Sequence, residues 1–179
     1  MYKITLDKED YLRYQLFTAS KSKRIKNKRI RTWILLTISF LVLGLALRQN
    51  TNKYLSYYFI GFSIITLIFY PFYQRRQYKK HYEKHINENY KNRIGIESKL
   101  GFADGFIVSI GDNQEGKIKI TEIQGINEIT DNLFIKIKSG ESVIVPARFS
   151  GYNKLKKQLN DLIEPLGIAW NNQFDWKWK

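Results

Sequence analysis

Two histidines stand four residues apart in the stretch H-Y-E-K-H, at His81 and His85. On a helix that spacing sets two imidazoles on one face, where they could share a metal ion. A zinc-protease helix reads H-E-x-x-H, with the general base directly after the first histidine. Here Tyr82 holds that place and Glu83 follows it. No third ligand or base is evident, so the pair reads as part of a solvated basic face, with no metal and no cofactor expected. A second spacing, G-x-x-x-x-G-K from Gly111 to Lys117, imitates a phosphate loop. Such a loop needs Ser or Thr next, for Mg²⁺, and a helix whose N-terminus faces the phosphates. Ile118 follows instead, in a strand-like stretch, and Asp112 and Glu115 inside the loop would repel phosphate, so it reads as a hairpin turn. Cysteine is absent, which excludes thiol nucleophiles, thiolate metal sites and disulfides. No G-x-S-x-G occurs, and the acids scatter over expected turns. No catalytic residue is assigned, and the chain is not expected to be an enzyme.

The elements that position these residues are organised around residues 33–73. Two apolar runs, 33–47 and 54–73, are joined by a short polar connector, and neither holds a charge. Twenty helical residues span about 30 Å, the thickness of a bilayer's hydrocarbon core. The first run is shorter, roughly 23 Å, and needs Thr32, a snorkelling Arg48 or local thinning of the bilayer to cross. The pair predicts a transmembrane helical hairpin over 32–73. Trp33 begins the first crossing, Tyr54, Tyr57 and Tyr58 begin the second, and Tyr70 and Tyr73 end it, as anchors at the water boundaries should. Within it the polar residues are Thr37, Ser39, Ser56, Ser63 and Thr66. Ion and proton paths need ionisable groups at depth, so a plain anchor is expected rather than a pore. Gly44 and Gly61 have no small residue four positions away, which leaves no GxxxG face. Pro71 removes one backbone donor near the inner end.

The chain's 179 residues carry a net charge of +14, which invites a nucleic-acid reading until the charge is located. Residues 1–20 balance, and from residue 94 onward eleven basic residues cancel eleven acidic ones. The excess lies in Lys21, Lys23, Arg24, Lys26, Lys28, Arg29 and Arg31 before the first run, in Arg48 and Lys53 of the connector, and in residues 75–93. A basic nucleic-acid domain would carry it on its soluble fold. Flanking charge instead sets topology: the heavier clusters stay inside, so both termini are expected in the cytoplasm. Lys21 to Arg31, with Arg75, Arg76, Lys79 and Lys80, are then candidate contacts for anionic lipid. Membrane lipids are the expected partner, nucleic acid is not, and a cleavable signal peptide is not expected.

Five segments follow. Residues 1–31 hold a short extended start, an amphipathic helix over 7–19 opened by Asp7, Glu9 and Asp10, and the basic run. That helix could lie on the membrane or pack on the soluble domain, and its acidic polar face favours packing. After the hairpin, 74–92 continues as a helix with Tyr78, Tyr82, Ile86 and Tyr90 on one stripe. From residue 93 the pattern changes to period two, with strands predicted at 97–102, 106–110, 117–121, 124–130, 133–138 and 142–145 between Gly- and Asp-rich turns. Residues 151–165 read as a helix with Leu155, Leu159, Leu162 and Ile163 inward, so 93–167 forms an antiparallel β domain with a C-terminal helix. The tail 168–179 holds Trp170, Phe174, Trp176 and Trp178. These either form a last strand on the domain, the preferred reading, or enter the membrane interface. The fold class is an α+β membrane protein.

This layout resembles the YcxB-like family of small bacterial membrane proteins. The stretch from Leu6 to Leu12 before a basic run carries the likeness, as do the hairpin and several positions of the C-terminal domain. Those positions are Gly105, then Ile120-Thr121-Glu122-Ile123 leading to Ile126 and Ile129, Phe134, and Val145-Pro146-Ala147-Arg148-Phe149. The family often has Trp where Ile120 stands, and a longer stretch after the Pro. The resemblance implies a bacterial inner membrane and a cytoplasmic domain of pleckstrin-homology-like (PH-like) fold, which packs a bent antiparallel sheet on one C-terminal helix; six strands leave it one short. It implies no established activity or catalytic residues. The expected function is a non-enzymatic inner-membrane protein presenting that domain to a protein partner or to anionic lipid. The alternative is a membrane-embedded immunity or regulatory protein acting through its hairpin.

Overall fold

The computed structural model describes residues 1–48, 53–111 and 115–179. The interior of the connector, 49–52, and the centre of the G-x-x-x-x-G-K loop, 112–114, lie outside the described residues. The chain divides into two units, one of residues 1–15 and 84–177, the other of residues 16–83 and 178–179.

The first unit is built on two four-stranded sheets. Strands β1 (Tyr2–Thr5), β2 (Glu97–Ala103), β3 (Phe106–Ile110) and β4 (Glu115–Lys119) follow one another across the first. The second contains β5 (Ile123–Glu128), β6 (Asn132–Ile137), β7 (Ser142–Pro146) and β8 (Trp170–Asn172), in the order β7-β6-β5-β8. Every pairing is antiparallel except that of β8, which runs parallel to β5 with Ile126 opposite Trp170. The six strands read from alternation are present, with ends displaced by a residue or two. Asp104 and Gly105 join β2 to β3, both at positive φ (51° and 78°), the geometry that matches strand twist in a two-residue hairpin. Lys117 and Ile118 pair with Val108 and Ile107, so the chain after the G-x-x-x-x-G-K spacing is strand and not helix. The predicted strand to Thr121 stops early, because Ile120–Glu122 winds into a 3-10 turn between the two sheets. Its first amide donates to the Gly105 carbonyl at 2.9 Å, and the Ile120 side chain turns into the core.

After β7 the chain enters the helix named here α4 (Tyr152–Ile163). Leu155, Leu159 and Ile163 are fully buried in one cluster with Ile4, Leu100, Ile107, Ile126, Leu133, Ile135 and Val145, each side chain contributing on the order of 1.5–3 kcal/mol. Gly151 opens the helix where a Cβ would stand 2.7 Å from the Phe149 ring and 2.8 Å from that of Tyr2, so any larger residue would have to push a ring aside. Helix α1 (Lys8–Lys21) starts at a reciprocal cap: the Asp10 amide donates to Asp7 Oδ1 and the Asp7 amide to Asp10 Oδ2. Its first half belongs to this unit, with Tyr14 edge-on to Phe134 at 5.5 Å. That is the packed alternative for the helix; β1 forms in the short extended start, and β8 is the last strand preferred for the tail.

The second unit consists mainly of two helices, α2 (Lys23–Arg48) and α3 (Lys53–Asn89). The Ile25 amide donates to Ser22 Oγ at 3.4 Å, and from there the basic run and the first apolar run form one helix. Helix α3 carries the second apolar run through Pro71 into the stripe beyond it. At 1.5 Å per residue they measure about 39 and 56 Å, and both are long and apolar enough to cross a membrane. They lie antiparallel. Ser56 Oγ donates to the Gly44 carbonyl at 2.6 Å, Ser63 Oγ to that of Thr37 at 3.1 Å, and Gln74 Nε2 to that of Arg29 at 3.2 Å. At Gly44 a Cβ would fall 2.7 Å from Ile60 Cγ1 and 3.0 Å from its amide nitrogen, so this glycine marks close helix approach. The seam has small residues without a GxxxG motif, because Gly44 lies on one helix while Ser56 and Ser63 lie two turns apart on the other.

Candidate functional site

The basic residues sort into one that is drawn in and many that are not. Lys21, Lys23, Arg24, Lys26, Lys28, Arg31, Arg75, Arg76, Lys79 and Lys80 are all exposed, whereas Arg29 is partly covered. Its guanidinium lies 4.9 Å from the Trp178 ring and 5.6 Å from that of Tyr78, distances at which a cation is attracted to the ring faces. Arg29 Nη1 donates to the main-chain oxygen of Lys179 at 2.9 Å, while its buried Nε has no hydrogen-bond partner. Trp178, 7% exposed, donates from Nε1 to the Arg75 carbonyl at 3.1 Å and packs 6.3 Å from Tyr78. The Gln74 amide on the Arg29 carbonyl brings the two basic runs to the same end of the helix pair. Of the expected anchors, Tyr54, Tyr57, Tyr58 and Tyr73 point outward; Tyr70 is half-covered beside Tyr73, and Trp33 is half-covered with its Nε1 buried and unpartnered.

In the first unit, two buried carboxylates gather donors. Asp10, fully buried, accepts from Asn132 Nδ2 at 2.8 Å and from Arg148 Nη1 and Nη2 at 2.7 and 2.6 Å. Arg148 Nη2 also donates to the Thr5 carbonyl at 3.0 Å and meets Asp7 at 3.2 Å. Burial pushes the Asp10 carboxyl up, but the bonds from Arg148 and Asn132 and the Asp7 amide outweigh it and hold the group below its ordinary value. The same bond to Asp10 raises Arg148. Glu128, 3% exposed, accepts from Tyr152 Oη at 2.9 Å, Lys156 Nζ at 2.7 Å and Trp170 Nε1 at 3.0 Å. Burial and then the bond to Glu128 push the Tyr152 hydroxyl up, so it stays a donor. Each carboxylate ties separate segments together: Asp10 joins α1 to the chain after β7, and Glu128 joins β5 to α4 and β8.

The histidines do different things. His81 is exposed beside the Tyr82 ring, and His85 Nδ1 lies 3.0 Å from Asn89 Nδ2. Among the described residues no three His, Asp or Glu side chains come close enough together to hold a metal ion. An open groove of about 350 Å³ is lined by Met1, Tyr2, Phe102, Lys154 and Gln158, with Gly101 and Ala103, and Tyr2 Oη in it already donates to Gln158 at 3.0 Å. Comparison with known protein families, with curated proteins and with solved structures gives no match. The chemistry of these groups therefore carries the functional reading, and it is that of fixed charge and aromatic surface.

Sequence reasoning found Asp10 as a helix-start acid and Arg148 as part of the Pro146–Phe149 match, without joining them. The signal available was the Asp-x-x-Asp cap spacing, which places Asp10 in the first turn but does not name its partner. Trp178 was singled out only as one of several tail aromatics, and nothing in the order of residues distinguishes it from Trp176.

Proposed function

We propose that this chain is a non-enzymatic membrane protein anchored by α2 and α3, which present a cytoplasmic domain of PH-like fold to a protein partner or to anionic lipid. The observation that carries the reading is the outer surface of the helix pair. Leu35, Val42, Phe69 and Phe72 are between 55 and 67% exposed, an arrangement that water disfavours and hydrocarbon accommodates. The core helix of a soluble protein would have these side chains covered. Both basic runs flank the same end of the pair, which supports a cytoplasmic location for both termini. In a bacterium the membrane would be the inner one.

The resemblance to the YcxB-like family fits the first unit's order of strands. Strand β1 supplies the strand that the alternation pattern lacked, and α4 follows β7 as a PH-like domain requires. Pro146 ends β7, and Phe149 packs between the rings of Tyr2 and Tyr152 at 6.0 and 6.2 Å, both structural duties. The exposed Lys and Arg residues at the helix ends would each contribute on the order of 1 kcal/mol to attraction by anionic headgroups. Alkaline carbonate extraction of membranes containing the full chain tests the anchor, which should stay in the pellet. Release into the supernatant would reject it. Binding of a peptide of residues 21–31 to anionic vesicles should weaken as salt rises, and indifference to salt and lipid charge would reject the lipid arm.

A further inference from the structure

The first sheet ends at β4, and among the described residues no strand pairs with its far edge. The Ile120 amide on the Gly105 carbonyl fixes which backbone groups that edge presents. Along an antiparallel ladder, opposed residues alternate between pairs that exchange hydrogen bonds and pairs that do not. Gly105 and Ile120 are a bonded pair in the same register that sets Ile107 opposite Ile118 and Ser109 opposite Gly116, so Ile118 and Gly116 also bond to β3. Glu115, Lys117 and Lys119 therefore turn their N–H and C=O groups away from β3. All three residues are exposed, and Glu115 lies 3.2 Å from Lys117. Lysine on an edge strand ordinarily discourages pairing. The order Glu-Gly-Lys-Ile-Lys of β4 makes this edge selective instead, because its charges are complementary to those of an inverted copy of itself.

We propose that β4 is a self-association edge, on which the β4 strand of a second copy of this chain pairs antiparallel about a two-fold axis at Lys117. In that register Glu115 of each copy stands opposite Lys119 of the other, and Gly116 opposite Ile118. The three outward-facing residues of one strand meet those of the other, so each open backbone group of the edge gains a partner. At Gly116 nothing lies within 4 Å of an added Cβ, which leaves space for the half-buried Ile118 of the second copy. The two Lys117 side chains meet at the axis as like charges, which opposes association, but each already has its own Glu115 at 3.2 Å. An isologous contact of this kind closes at two copies and joins their first sheets into one. A five-residue edge is small beside a standard interface, so the contact is weak and depends on concentration. It does not depend on the membrane placement proposed above, since β4 belongs to the first unit.

A single introduced thiol reports the contact, because the chain has no cysteine of its own. Across a hydrogen-bonded antiparallel pair the Cα atoms lie about 5.5 Å apart, a separation at which disulfides form. Lys117→Cys in the full chain, purified in detergent micelles and treated with a mild oxidant, is expected to give a disulfide-linked product of twice the chain's mass. Lys157→Cys, on the exposed side of α4, measures random collision and is expected to link far more slowly. In the Lys117→Cys background, Glu115→Lys or Lys119→Glu should each lower the initial rate of linkage about two- to thirty-fold, the worth of the two cross-strand ion pairs lost. The two reversals together should restore it. These side chains are exposed, so circular dichroism should be unchanged in every variant. Linkage of Lys117→Cys no faster than that of Lys157→Cys overturns the edge contact. A double reversal as slow as the single ones overturns the register and the complementarity on which the proposal stands. In membranes of the expressing cells, a main product of any other mass overturns the choice of a second copy as occupant.

Discussion

Replacing Arg148 with Met leaves the fully buried Asp10 carboxylate with the Asn132 amide, the amide of its own cap and the more distant Arg13 guanidinium at 3.9 Å. The two bonds at 2.7 and 2.6 Å disappear together, and with them the group that outweighs the cost of burial. Breaking a buried pair by removing one partner costs about 3–5 kcal/mol. The half-exposed Arg148 end places the expected value toward about 3 kcal/mol, since water can partly reach the gap. Hydrogen exchange of β6 and β7 amides in the full chain reads this directly, and protection should fall roughly a hundredfold. Asp10→Asn combined with Arg148→Met should recover most of the loss, because no buried charge remains. The pH dependence has a definite sign. Asp10 is held below its unfolded value, so in the native chain its stabilisation is present above that value, near pH 3.9. It is lost as pH falls through the folded one. In Arg148→Met the penalty should shrink on acidification, since the carboxyl can then be buried neutral. Equal protection in native and variant chains at neutral pH, or a penalty that grows on acidification, would refute the reasoning.

Other consequences are smaller or more local. Glu128→Leu strands the Tyr152 hydroxyl, the Lys156 ammonium and the Trp170 indole N–H, and should cost about 1–3 kcal/mol per donor left buried. Faster exchange at β8 than at β6 is the expected pattern. Gly44→Leu forces the Ile60 side chain and backbone aside, which should cost about 1–3 kcal/mol as overpacking and lower the thermal midpoint in detergent. Gly61→Ala, where nothing lies within 4 Å of the added atom, should leave that midpoint nearly unchanged. Gly151→Ala collides with two rings and should loosen α4, read as lost protection at Leu155 and Leu159.

Much of this architecture was legible because it rests on local periodicity. The apolar runs, the six strands and the face of α4 all follow from which side of an element must be covered, and Asp104-Gly105 names its own turn. What was not legible depends on distant pairs. Strand β1 is too short to declare itself and is defined by its register with Leu100 and its neighbours. A last strand from the tail was the preferred reading and β8 is that strand, but its three residues and its parallel pairing with β5 are a partnership no alternation pattern encodes. Asp10 and Arg148 are far apart in the chain, and each had an adequate local explanation, a cap and a post-strand loop, that concealed the bond between them. Arg29 could not be separated from its six basic neighbours, since only the arrival of Trp178 makes it different. The G-x-x-x-x-G-K spacing shows the converse: a motif read in isolation points to phosphate, while Ile118 and the strand that follows point to a hairpin.

Because the chain contains no cysteine, the membrane placement proposed for it can be probed with single introduced thiols. Asn50→Cys lies in the connector between the apolar runs, and Lys157→Cys on the exposed side of α4. In intact spheroplasts a membrane-impermeant maleimide should label Asn50→Cys directly and Lys157→Cys only after the membrane is opened. Labelling of both before permeabilisation, or of Lys157→Cys alone, would contradict a hairpin anchor with its domain in the cytoplasm.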